Sequence, residues 1–392
     1  MNSEEIKALH QQYIMDTYRR FPVALQQGEG SRVWDPEGNA YLDFTSGIGV
    51  TSLGQCDPRW KAAIVEQLDT LGHVSNLFYT EPSARLAQRL CQRTGMNSVF
   101  FANGGAEANE AMIKLARKYS YDKYGEGRSV ILTLRQSFHG RTMTTLTATG
   151  QEALHQYFFP FAEGFRYVEP EDLPALEAEN QGDVCAVMLE LVQGEGGVRA
   201  MDRGYIQALR ELCSQRDWLL LADEVQSGVG RTGTLFAFQQ YGIQPDVCSF
   251  AKGIAGGLPL SGILGNEKCR DVFQPGTHGT TFGANPVCCA AALAVQEIMT
   301  EEFLADVAEK GRLLREGIEA LRLPCFGKTS GLGLMVGIAV QPGWVNREIA
   351  EKLIENHLLV LTAGPGMRLM PPLTVTREEI QEALTIMAQV LG

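Results

Sequence analysis

Short apolar runs alternate along this chain with amphipathic stretches of helical length. Runs that read as strands are Ser98–Ala102, Ser129–Leu134, Val184–Leu189, Trp218–Ala222, Asp246–Phe250 and Ser261–Gly265. Helical spacing falls at 105–120, 203–216 and 286–299. On the first of these, Ala108, Met112, Leu115, Ala116 and Tyr119 share one face. The alternation predicts an α/β fold whose large domain is built on a mainly parallel sheet. After about residue 300 the texture changes. Helical patterns at 301–321, 346–357 and 377–390 surround one strand-like stretch, Leu334–Val340, which predicts a smaller α+β domain. Near the start, Arg32–Phe44 reads as a hairpin turning at Pro36-Glu37-Gly38-Asn39; periodicity alone leaves open which domain it joins.

Composition narrows the function classes. The 392 residues are 45% hydrophobic and 20% charged, an ordinary globular balance with room for two or three structural units. Lys plus Arg total 34 against 46 Asp plus Glu, a formal net charge of −12. An acidic chain without a basic run is a poor fit to nucleic acid or an anionic membrane. The opening MNSEEIKALHQQYI lacks a basic segment followed by an apolar one, and no apolar run is long enough to span a bilayer. The nine cysteines form no CxxC pair, although Cys288 and Cys289 are adjacent, and the six histidines show no HExxH spacing. Reduced thiols, a cytoplasmic location and no metal site are expected.

Glycines cluster where the strand candidates end, the edge at which open α/β sheets bind ligands. After Ala102 comes Asn103-Gly104-Gly105-Ala106-Glu107, then a helix. Strand, glycine pair and helix start make a phosphate cradle, because glycine admits close approach and free amides attract an anion. A lone Gly-Gly is more simply a tight turn. The next loop, Ser137-Phe138-His139-Gly140-Arg141, offers an aromatic face and a carboxylate clamp, or merely a solvated arginine. The run Trp218–Ala222 ends in Asp223-Glu224, which places Asp223 where it can hold a protonated heterocyclic nitrogen. Lys252 is the only charged side chain from Val247 to Asn266 and has small, apolar flanks. Desolvation makes such a lysine a nucleophilic amine able to form a Schiff base.

Two other matches carry less. Gly228-Val229-Gly230-Arg231-Thr232-Gly233 fits GxGxxG, but Asp223 to Ser227 separate it from the strand, and no acidic residue ends a second strand at the expected distance. Gly327-Lys328-Thr329 resembles a P-loop tail, yet Arg322 stands where the first glycine is required.

Taken in order, these loops resemble the class III pyridoxal-phosphate-dependent aminotransferases of fold type I, most closely the acetylornithine branch. The likeness runs from Tyr41-Leu42-Asp43-Phe44 to Arg368-Leu369-Met370-Pro371-Pro372-Leu373-Thr374. The resemblance implies a large cofactor-binding domain over 46–295 and a small domain formed by 1–45 and 296–392. It implies pyridoxal 5'-phosphate held on Lys252, which would also shuttle the reacting proton, with Asp223 on the pyridine nitrogen. Val225 and Phe138 would sandwich the ring, Gln226 would contact its phenolic oxygen, and the amides of Gly105 and Ala106 would hold the phosphate. Thr281, in His278-Gly279-Thr280-Thr281-Phe282-Gly283, would reach the phosphate of a neighbouring subunit, implying a homodimer.

For substrates, the resemblance gives Arg368 the α-carboxylate of glutamate and Arg141 the carboxylate of an acylated diamine. Glu195, in Gln193-Gly194-Glu195-Gly196-Gly197, would pair with Arg368 when glutamate is absent. The implied reaction is ping-pong transfer of the terminal amino group of N2-acetylornithine to 2-oxoglutarate. Ile48 stands where relatives acting on free ornithine carry tyrosine, which favours the acetylornithine and 4-aminobutyrate branches. Other ω-amine substrates, and a racemase or aminomutase on the same fold, are the alternatives. The chain departs from the family pattern at Gln55 and Asp57, at Gly104 where a hydroxyl residue is usual, at Leu191 in place of proline, and at Ser330 in place of arginine.

Overall fold

The computed structural model describes all 392 residues. Its centre is a seven-stranded sheet. Across it the strands run Ser98–Ala102, Ser261–Gly265, Val247–Phe250, Leu219–Asp223, Val184–Leu189, Val130–Leu134 and Phe165–Val168. Ser261–Gly265 is antiparallel to both its neighbours, and every other pairing is parallel.

Val184–Leu189 and Leu219–Asp223 are buried at every position, as expected of strands covered on both faces. Side-chain alternation then splits the core in two. Ala186, Met188, Leu219 and Leu221 pack with Ala108, Met112 and Leu115 of the helix Gly105–Tyr124. Val187, Leu189 and Leu220 face the other way, into a cluster with Tyr205, Ile206 and Leu209 of the helix Arg203–Arg216. The antiparallel strand needs its glycine: a Cβ on Gly262 would lie 2.3 Å from the Phe100 carbonyl oxygen.

Two four-stranded sheets flank this body. One pairs Gln27–Glu29, Arg32–Trp34 and Ala40–Asp43 with the late strand Leu358–Leu359. Its hairpin closes as expected at 36–39, with the Asp35 carboxylate accepting from the Asn39 amide at 2.8 Å and from its side chain at 2.7 Å. The other consists of Phe326–Leu332, Met335–Val340, Gly366–Leu369 and Leu361–Ala363. Helices Glu301–Leu321, Asn346–Glu355 and Arg377–Leu391 complete the C-terminal region.

Six of the seven strands of the central sheet begin and end within one residue of the apolar runs, and the sheet is mainly parallel. Apolar patterning missed the edge strand Phe165–Val168 and the helices Pro58–Thr70 and Glu81–Thr94. The first helix buries no residue and the second only Leu86, Leu90 and Thr94, so neither carries a wide apolar stripe. No helix is long and apolar enough to cross a membrane.

Candidate active site

The loops after Ala102, Leu134, Leu189, Asp223 and Phe250 converge on a cavity of about 420 Å³ at the carboxyl edge of the parallel strands. Asp223 ends its strand on the cavity wall and is 4% exposed. Four donors reach its carboxylate. Asn109 Nδ2 and His139 Nδ1 each lie 2.7 Å from Oδ2; the Val225 amide at 3.0 Å and Ser249 Oγ at 3.4 Å reach Oδ1. Asn109 also donates to the His139 carbonyl at 2.7 Å, so helix and loop are fixed together around the acid. His139 Nε2 and Asn109 Oδ1 are buried without a partner.

Lys252 follows the strand Val247–Phe250 and opens a short 3-10 turn with φ of 47°, a strained left-handed conformation for a side chain of this size. It lines the same cavity. Burial, reinforced by the nearby Arg368 charge, pushes its amine down to about 8, against the opposing pull of Glu195, Asp223 and Glu190. Roughly a tenth of such an amine is neutral at pH 7.

The glycine pair sits where the helix Gly105–Tyr124 begins. As the first amides of a helix, those of Gly105 and Ala106 have no acceptor within it and are available to an anion. The Glu107 carboxylate folds back onto the Asn103 and Gly104 amides at 2.8 and 3.0 Å, and Ser261 Oγ holds the Gly104 carbonyl at 2.8 Å. A Cβ on Gly105 would stand 2.7 Å from Val225 Cγ1, so glycine is what allows these two walls to meet.

Phe138 and Val225 both line the cavity, and the Arg141 guanidinium lies 5.6 Å from the Phe138 ring centre. Arg141 is exposed at the cavity and engages no carboxylate. Arg368 is 3% exposed on the strand Gly366–Leu369; its Nη1 donates to Glu195 Oε1 at 2.6 Å and to Gln226 Oε1 at 3.1 Å, while Nε is buried without a partner. Glu195 and Gln226 line the cavity and Arg368 does not. Burial raises the Glu195 carboxyl, but Arg368 outweighs it and holds the group below the usual range.

Ten of the twelve residues singled out from sequence, Arg368 included through its two partners, therefore gather at one cavity. The other two do not line it. Ile48 is 43% exposed with φ of 64°, and Val50 takes the wall position nearby. Thr281 is exposed on the loop before Asn285, next to Thr280, whose Oγ1 accepts from Asn103 Nδ2 at 3.1 Å.

Sequence reasoning gave no role to Asn109, His139, Ser249 and Glu190. Only the position of Glu190, directly after a fully apolar strand, was a signal in the chain. Burial pushes its carboxyl up to about 7. Three departures have local explanations. Asp57 caps the helix Pro58–Thr70, accepting from the Arg59 amide at 2.9 Å and the Trp60 amide at 3.3 Å. Ser330 donates to the Val198 carbonyl at 2.7 Å, and Leu191 is buried in the main core.

The family described as aminotransferase class-III matches residues 13–391. An acetylornithine aminotransferase of Haemophilus ducreyi is 51% identical over 393 aligned positions, covering 100% of both chains. One from Caldanaerobacter subterraneus is 48% identical, covering 97% of each. Among solved structures, the acetylornithine aminotransferase of Elizabethkingia anophelis superposes with a TM-score of 0.89 at 32% identity, over 100% of this chain and 99% of that one. An ornithine aminotransferase of Toxoplasma gondii, with pyridoxal phosphate at partial occupancy in its active site, gives 0.94 at 32% identity, over 99% and 94%. The chain belongs to the class III aminotransferases and is a pyridoxal-phosphate-dependent enzyme.

Proposed function

We propose that this aminotransferase moves the terminal amino group of N2-acetylornithine to 2-oxoglutarate, giving N-acetylglutamate 5-semialdehyde and glutamate, a step of arginine biosynthesis. The observation that carries the reading is the buried Arg368 covered by Glu195 at 2.6 Å. A site that takes a diacid and then a substrate reacting through a terminal amine needs one cation for the first and must neutralise it for the second. Full-length relatives named acetylornithine aminotransferase support the same substrate.

The residues present fit the cofactor. A depressed lysine amine, a carboxylate at the strand end and two free helix amides suit an aldehyde, a pyridine nitrogen and a phosphate in turn. When bound, pyridoxal phosphate supplies the electron sink that lets the substrate Cα–H bond break. The chain does the rest. Lys252 Nζ would hold the aldehyde and, once free, would carry the reacting proton. Asp223, held by Asn109 and His139, keeps the ring nitrogen protonated. Val225 and Phe138 would confine the ring, Gln226 would meet its phenolic oxygen, and the amides of Gly105 and Ala106 would hold the phosphate. Arg368 grips the glutamate α-carboxylate once Glu195 swings away, and Arg141 takes the far carboxylate of the acetylated amine. Ile48 belongs to the substrate entrance of the same reading.

The working unit we propose is a homodimer in which Thr281 reaches the neighbouring phosphate. The exposure of Thr281, outside its own cavity, supports this. The same reading divides the chain into a large domain over 46–295 and a small one from 1–45 with 296–392, consistent with Leu358–Leu359 pairing beside Ala40–Asp43, and places the enzyme in the cytoplasm.

The test is an absorbance spectrum of the purified holoenzyme as amines are added singly. Loss of the lysine-bound cofactor band with glutamate and N2-acetylornithine, and weak loss with ornithine or 4-aminobutyrate, is the expected result. A response to glutamate without one to N2-acetylornithine would overturn the substrate.

A further inference from the structure

We infer that Glu190 is a positioning residue that sets the spacing between the Phe138 loop and the loop whose Glu195 covers Arg368. Glu190 follows the buried strand Val184–Leu189 and is itself 6% exposed. Its Oε1 accepts from the Phe138 amide at 2.8 Å and its Oε2 from the Gly194 amide at 3.1 Å. One carboxylate thus spans two loops sent to the cavity by adjacent strands.

The segment it holds has no slack. A Cβ on Gly194 would lie 2.1 Å from Gln226 Oε1, and one on Gly196 would lie 2.9 Å from the Gln136 carbonyl oxygen. Residues 194–196 are therefore pressed between Gln226, the second partner of Arg368, and the residue two before Phe138. Any shift of Gly194 is passed to Glu195, its neighbour in the chain. Glu190 lines the cavity, but its two oxygens are taken by the Phe138 and Gly194 amides, so it acts through the cover over Arg368. The inference rests on the proposed masking of Arg368 during the terminal-amine half-reaction.

Above about 7, the value to which burial raises it, the Glu190 carboxylate is ionised and offers acceptors to both amides. Glutamine offers one, and sets its own NH2 against the other N–H. The longer bond, to Gly194, is the one released. In Glu190→Gln holoenzyme the KM for N2-acetylornithine should rise roughly tenfold, the scale of one buried hydrogen bond. The glutamate half-reaction should keep its KM, and the spectrum and affinity of the bound cofactor should be retained. Each amine is followed by single-turnover loss of the cofactor band, with Glu195→Ala as a second background. If Glu190 acts through Glu195, Glu190→Gln adds nothing in that background.

Equal losses in both half-reactions, or an additive effect in the Glu195→Ala background, would overturn the inference. A Glu195→Ala single variant that treats both amines as wild type does would instead remove the masking on which it rests. If wild type answers a terminal amine other than N2-acetylornithine, the substrate assignment fails and the same comparison is made with that amine. Should Glu190→Gln fail to fold, Glu190→Asp keeps the charge but is one methylene too short to span both amides, and the same KM split is expected of it.

Discussion

Replacing Arg368 with alanine separates the two half-reactions. The guanidinium is 3% exposed, spends Nη1 on Glu195 and Gln226, and keeps Nε buried and unpaired. Incoming glutamate would take the place of Glu195 and add a contact to that free Nε. A hydrogen bond to a charged group in such a setting is worth about 1.5–3 kcal/mol. At about 1.4 kcal/mol per decade, losing it should lower kcat/KM for glutamate by roughly 10- to 150-fold. The terminal-amine half-reaction meets an arginine already neutralised, so it should lose much less. Both are measured by single-turnover decay of the lysine-bound cofactor band. The pair also has a direction in pH. Arg368 holds the Glu195 carboxyl below its ordinary value, so the stabilisation is present above that ordinary value and is lost as pH falls through the depressed one. Without glutamate to displace Glu195, the cover therefore stays closed through neutral pH and is released by protonation only in acid. Equal losses for both amines would mean that Arg368 is a structural ion-pair partner and that another group reads the glutamate α-carboxylate.

Four other expectations follow from the structure. Lys252→Ala should abolish turnover and the lysine-linked absorbance while leaving the far-ultraviolet circular dichroism unchanged; retained turnover would refute its role. Capture of pyridoxal phosphate by the apoenzyme should rise with pH to a midpoint near the Lys252 value of about 8, and a midpoint near the ordinary 10.5 would refute the desolvated amine. Because that value is depressed for a base, the unfolded chain binds more protons between the two, so this lysine's contribution to stability grows as pH rises from about 8 to 10.5. Asp57→Ala removes the cap that accepts the Arg59 and Trp60 amides and should cost about 1 kcal/mol in denaturant unfolding, with kcat and KM unchanged.

The middle of the central sheet was legible because its inner strands are buried on both faces and so appear as uninterrupted apolar runs. Lys252 was legible for the same reason, as a lone charge in an apolar stretch. The helix Pro58–Thr70 was not: it buries no residue fully, and only Trp60 and Ile64 pack against the core, too short a stripe to stand out in the chain. At the site, side chains at strand ends could be read from position alone. Asn109 could not: it occupies a helix face otherwise apolar, and only the fold brings it 2.7 Å from Asp223, 114 residues later. Ile48 shows the reverse limit. The stretch 46–50 does reach the cavity, but left-handed backbone at Gly47 and Ile48 turns the chain so that Val50 supplies the wall.

The glycine-rich stretch 228–233 finds its meaning in packing. A Cβ on Gly230 would lie 2.7 Å from Met299 Sδ, and one on Gly233 would lie 2.8 Å from Ala308 Cβ, so each glycine admits a late segment of the chain rather than a phosphate. Between them Arg231, 2% exposed, donates from Nη1 to the Leu334 and Pro371 carbonyls at 3.1 and 2.5 Å and from Nη2 to Ser46 Oγ at 3.3 Å. Those partners come from three separate parts of the sequence. Pro371 lies three residues beyond Arg368, and Arg231 lies eight beyond Asp223. One buried guanidinium thus ties the loop that follows Asp223 to the segment just beyond the strand that carries Arg368. A buried cation without a direct ion-pair partner is costly unless its donors are satisfied. Backbone carbonyls are acceptors that no side-chain substitution removes. The segments that carry Asp223 and Arg368 are in this way tied through the Arg231 side chain, which leaves the Glu195 side chain, on its tightly packed loop, as the part that moves in the proposed reaction.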